Sequence, residues 1–98
     1  VNFNYREVSA NTTANANDRV IGVNSTSSTI TVSLPPASSV RRGFVLTIKD
    51  IAGNCLNNNI TIARGSTDTI DSQTTLTVNV NYASVSLVSS GTTSWHIF

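Results

Sequence analysis

Apolar and polar residues alternate with a period of two along most of the chain, and no stretch sustains apolar residues at helical spacing for three turns. Strands are therefore predicted throughout. The clearest are STITVSL (28–34), which puts Ile30, Val32 and Leu34 on one face, and TLTVNVNY (75–82), which puts Leu76, Val78, Val80 and Tyr82 opposite Thr77, Asn79 and Asn81. GFVLTIKD (43–50) aligns Phe44, Leu46 and Ile48. NITIA (59–63) offers Ile60 and Ile62, SVSLV (84–88) offers Val85 and Leu87, and SWHIF (94–98) offers Trp95 and Ile97. Weaker strands are FNYREV (3–8), with Phe3 and Tyr5, and RVIGV (19–23), with Ile21 and Val23. Val, Ile and Thr, the residues a pleated surface favours, together supply about a third of the chain.

Between the runs lie turn signals: SANTTANAND, Pro35 and Pro36 followed by SSVRRG, then AGNCLNNN, RGSTDT, DSQ and SSGTTS. Short strands at this spacing predict one all-β domain over 1–98, an antiparallel β-sandwich of jelly-roll type. The polar faces carry Thr, Ser and Asn with almost no charge, so flat strand edges go unguarded. A homotrimer that covers them is the expected assembly.

Composition narrows this picture. The 98 residues are 39% hydrophobic and only 6% aromatic, which makes for a modest core and gives a partner subunit something to add. Charged residues are 11% of the chain, well below ordinary usage, while Ser, Thr and Asn make up roughly 40%. Arg6, Arg19, Arg41, Arg42, Lys49 and Arg64 are scattered and balanced by Glu7, Asp18, Asp50, Asp68 and Asp71, so nucleic acid is not expected as a partner. No apolar run approaches the roughly 20 residues that span a bilayer, and the domain reads as soluble with no membrane insertion. A chain that opens on Val1 and stops on Phe98 reads as part of something longer.

Candidate chemistry is sparse. Asp68 and Asp71 are the one close carboxylate pair, but residues three apart on a strand point to opposite faces, and Asp is a common turn former. His96, the sole histidine, forms no triad order with a nucleophile and an acid. Asp50, Asn54, Asn57 and Asn58 could offer oxygens to calcium, yet the segment lacks the carboxylates of a calcium loop. It reads instead as a tight connection with Gly53 and Asn54 in left-handed conformations. Cys55 stands alone and reads as a small buried residue. Asn11, Asn24 and Asn59 fit the glycosylation pattern, about as often as chance gives in so Ser/Thr-rich a chain. No catalytic residue, metal or cofactor is expected. Tyr82 and Trp95 are the residues suited to stacking on a sugar, with core packing their competing fate.

The order of motifs resembles a module of tail fibres, tailspikes and other appendages of bacteriophages and large DNA viruses. The likeness spans nearly the whole chain. It rests on the strand end Leu34–Pro35, the KDIAGN turn, the NNITI strand, the DTID element, the NYASVSL strand and the closing SGTTSW. This resemblance implies a virion-surface fibre or spike head, commonly homotrimeric, that meets a glycan or protein receptor on the host and contacts other virion proteins. Tyr82, Trp95 and His96 are then the expected receptor-binding residues. Two alternatives are a purely structural connector or capsid-decorating domain, and a polysaccharide-degrading tailspike fragment. Where the family pattern favours glycine, after DTID and in NYGSV, this chain has Ser72 and Ala83.

Overall fold

The computed structural model describes residues 4–98, so Phe3, placed on the first strand by the sequence pattern, lies outside the described residues. Among the described residues ten strands form: β1 (Tyr5–Val8), β2 (Thr12–Thr13), β3 (Val20–Val23), β4 (Ile30–Ser33), β5 (Val45–Asp50), β6 (Ile60–Ala63), β7 (Thr69–Ile70), β8 (Thr75–Val78), β9 (Ser84–Ser89) and β10 (Ser94–Ile97). They build two sheets, one in the order β1-β3-β5-β9-β10-β7 and the other β2-β4-β6-β8. A 3-10 turn over Ala37–Ser39 follows the two prolines.

The core lies between the sheets, where the predicted alternation places it. Ile21, Val23, Leu46, Ile48, Leu87 and Trp95 come from the larger sheet, and Ile30, Val32, Ile60 and Ile62 from the smaller; all are buried. β5 is the plainest case, with buried and half-buried residues in strict alternation over its six positions. Fully burying each Ile, Leu or Val contributes roughly 1.5 to 3 kcal/mol before entropy is counted.

The expected antiparallel, jelly-roll order is corrected by the strand directions. Among the described residues five of the eight ladders are parallel: β1 with β3, β3 with β5, β2 with β4, β4 with β6, and β7 with β10. From β1 to β6 each strand crosses to the opposite sheet, so neighbours within a sheet are two elements apart and run the same way. The chain thus coils before folding back, and β8 and β9 then add antiparallel to β6 and β5. The register stacks like on like, Ile30 beside Ile60, Val32 beside Ile62, and Ile21 beside Ile48.

The predicted strand over 75–82 ends early. β8 stops at Val78, and Val80 and Tyr82 emerge exposed because Asn79–Tyr82 turn toward β9. β2 and β7, two residues each, form inside segments whose Gly, Asn and Ser content predicts only turn.

Candidate functional site

Asp50 ends β5 with its side chain fully buried, and its carboxylate organises the following loop. Oδ1 accepts the amides of Ala52 (3.2 Å) and Gly53 (3.1 Å), while Oδ2 accepts those of Cys55 (3.3 Å) and Tyr82 (2.9 Å). Burial pushes the pKa of Asp50 up, but these donors outweigh it and hold the group below its ordinary value of 3.8. Burial, with the Asp50 carboxylate beside it, pushes the Cys55 thiol up to about 11; its Sγ donates to the Val80 carbonyl at 3.0 Å. Asn54 and Asn58 donate to the Ser25 carbonyl, and Asn57 donates to Asn54. The Asp50 oxygens considered for calcium thus accept from backbone amides, and the Asn54 oxygen accepts from the Asn57 side chain. Among the described residues no group of three or more His, Cys, Asp or Glu could hold a metal ion. Gly53 adopts the left-handed conformation (φ 70°) expected of it, whereas Asn54 does not.

This loop presents Tyr82. The ring covers Gly53 so closely that a Cβ there would collide with it, and the Lys49 ammonium stands 5.4 Å from the ring centroid. Lys49 Nζ also donates to the Tyr82 carbonyl. Tyr82 itself is held at φ 65°, a strained value for a bulky residue, by the bond from its amide to Asp50.

A second tyrosine shares this outer face of the larger sheet. Across the strands Glu7 pairs with Gly22, Gly22 with Lys49, and Lys49 with Ser84. Gly22 has no side chain to fill its place in that row, and Tyr5 lies over it: a Cβ on Gly22 would sit 2.6 Å from the Tyr5 hydroxyl and 2.9 Å from Ile51 Cγ2. Tyr5 Oη donates to Glu7 at 2.8 Å. Two exposed tyrosines, with half-buried Ile51 between their glycine seats, therefore form one face. Tyr5 stood in the sequence only as a strand residue. The signal for its placement is Gly22, an interior strand glycine, which often marks close approach by another group.

The other expected contact residues part company. Trp95 is fully buried, so its reading as a receptor contact is corrected: its ring faces the core and meets Phe44 edge-on, with centroids 6.3 Å apart at 78°. His96 is exposed, 3.4 Å from Asp71 Oδ1, and pairs across the strands with Val88. Val88 in turn pairs with Val45, four residues along β5 from Lys49, so the row of His96 and the row of Lys49 are about 13 Å apart along the strands at 3.3 Å per residue, with Tyr82 beyond the latter. Asp68 and Asp71 also diverge. Asp68 is buried and accepts the Ala37 amide at 2.6 Å, whereas Asp71 is exposed at a left-handed corner (φ 46°). The turn-forming reading of this pair fits its geometry.

The chain matches no protein-family model, and no curated protein matches it.

Proposed function

We propose that this chain is a non-enzymatic module of a viral fibre or spike head, which assembles as a homotrimer at the virion surface and presents its tyrosine face to a host glycan or protein. The observation that carries the attachment reading is the Tyr5–Tyr82 face. Rigid exposed rings seated over glycines, with an ammonium beside one of them, are the parts that stack on and hydrogen-bond to a sugar. A glycan array probed with the assembled protein tests it. Hits that disappear with Tyr82→Ala support the reading, and the absence of any hit removes it, leaving the connector role as the alternative.

Assembly draws on β8. Among the described residues this edge strand pairs only with β6, and no charge occurs over residues 72–82. Beside it runs a shallow groove of about 190 Å³ lined by Leu76, Val78, Val80, Val85 and Ile97. A second copy of the chain is the proposed occupant: in a closed trimer each β8 edge meets a different surface of the next copy, and an uncharged edge enters such a contact without charge repulsion. Light scattering that finds a stable monomer at micromolar concentration overturns this part. The polysaccharide-degrading alternative draws no support from the carboxylates, since Asp50, Asp18 and Asp68 each bind backbone amides or Arg6, and Asp71 is exposed and accepts from the Ile97 amide while Asp68 is buried.

A further inference from the structure

Glu7 and Lys49, charges of opposite sign, stand on the tyrosine face. They lie in one row across β1, β3 and β5 with Gly22 between them, so their backbones are about 10 Å apart at the 4.8 Å spacing of neighbouring strands. Tyr5 covers the glycine in the middle of the row, Tyr82 stands beside Lys49, and Ser84 continues the row on β9. Tyr5 is 53% exposed and Tyr82 62%, so each ring, though seated, keeps a large part of its surface for a ligand.

Both charges are engaged within the chain. Glu7 Oε2 accepts the Tyr5 hydroxyl, a bond that raises the Tyr5 pKa above its ordinary 10 and keeps that ring neutral. Lys49 Nζ donates to the carbonyls of Tyr82 and Asp50. Arg19, which borders a hollow beside Tyr5, has a partner as well. What the face leaves open is single hydrogen-bonding positions of the kind that hydroxyls satisfy. A carboxylate has about four acceptor sites, of which Tyr5 takes one on Glu7. An ammonium has three protons, and two of those on Lys49 are in use. The Tyr5 oxygen donates to Glu7 and can still accept, and Ser84 is exposed.

We infer that this face binds a neutral oligosaccharide of at least two pyranose rings, whose C–H faces lie on Tyr5 and Tyr82 and whose hydroxyls reach Glu7, Lys49 and Ser84. The length follows from the row, since a ligand that touches both Glu7 and Lys49 spans more than one ring. The neutrality follows from the charges. An acidic sugar laid on Tyr5 brings a second negative charge to Glu7, and Lys49 has one proton left where a carboxylate or sulfate is best held by two parallel donors. A cationic sugar meets like charge at the Lys49 end. This inference rests on the proposal that the Tyr5–Tyr82 face binds glycans, and it names their class.

Binding of the full chain is measured by titration calorimetry at low ionic strength, where charge repulsion is least screened. The neutral probes are hexasaccharides of cellulose, starch and chitin and the carboxyl-reduced form of hexagalacturonate. The charged ones are hexagalacturonate itself and, at mildly acidic pH, the fully deacetylated chitin hexasaccharide. The expected result is that at least one neutral probe binds at least about tenfold more tightly than either charged one, and that Tyr5→Ala weakens it at least about tenfold. Glu7→Gln, which keeps an acceptor for the Tyr5 hydroxyl, is expected to tighten hexagalacturonate about threefold and to leave the neutral probe within about twofold of the parent. Circular dichroism spectra and urea midpoints matching the parent's check that both variants fold. A charged probe that binds as tightly as the best neutral one overturns the inference while leaving attachment through Tyr82 standing. Neutral binding untouched by Tyr5→Ala, or hexagalacturonate binding unchanged by Glu7→Gln, overturns it in the same way. No binding of any saccharide defeats both readings.

Discussion

At the scale of single residues, Asp50 carries more of the structure than any candidate for catalysis. Replacing it with alanine leaves four loop amides without their acceptor, and we expect Asp50→Ala to lower the unfolding free energy by about 3 kcal/mol in urea titrations. Asp68→Ala removes one backbone bond and should cost about 1 to 2 kcal/mol. The pH dependence follows from the lowered pKa of Asp50. The folded chain releases this proton more readily than the unfolded one, so the stabilisation is fully present above the unfolded value near 4 and is lost as pH falls through the folded value. Urea midpoints measured from pH 6 down to pH 2 should therefore drop below about pH 4, and that acid-side drop should be smaller in Asp50→Ala. Cys55, with its thiol at about 11 and no exposure, should resist a disulfide reagent at pH 8 in the native chain and react fully once unfolded. Ser72 sits at φ 68°, a conformation in which glycine escapes the steric penalty. Ser72→Gly is expected to raise stability by about 0.5 to 1 kcal/mol in the same titrations.

At the scale of elements, the loops set what the strands can do. Gly65 shows this best: a Cβ there would lie 2.5 Å from the Leu34 carbonyl oxygen and 2.8 Å from the Pro35 carbonyl carbon, both backbone atoms with little room to yield. Gly65→Ala should therefore cost about 2 to 3 kcal/mol. Gly43 has open space but a left-handed φ of 89°, and Gly43→Ala should cost only about 1 kcal/mol; denaturation of the two variants side by side checks the order. The open edge of the coil is handled by charge. Arg6 on β1 reaches Asp18 at 2.8 Å and the Thr12 hydroxyl of β2 at 3.2 Å, bridging the two sheets where their edge strands have no further neighbour. An inward-pointing charge of this kind discourages further strand addition. β8 has no such guard, and the contrast between the two edges is why assembly is assigned to β8.

At the scale of the whole molecule, association through β8 should make apparent stability depend on protein concentration. Tm should rise as concentration is raised tenfold, and Val80→Lys, which puts a charge on the exposed edge, should abolish that rise and yield a monomer by light scattering. Much of the architecture was legible beforehand, and the reason is local. Burial follows the period of the strand, so alternation alone placed Ile30, Val32, Leu46, Ile48, Ile60, Ile62 and Leu87 in the core, and the turn chemistry of the Asp50 loop was visible in its Gly and Asn residues. Alternation is the same for parallel and antiparallel strands, however, and it does not say which sheet a loop delivers the chain to. Strand direction, the burial of Trp95, the exposure of Tyr82 and the packing of the Tyr5 ring over Gly22 all depend on those crossings. The sequence by itself determined the β character and the inner face of each strand; the tertiary structure alone decided which distant residues share a surface, because that is set by how successive strands alternate between two sheets.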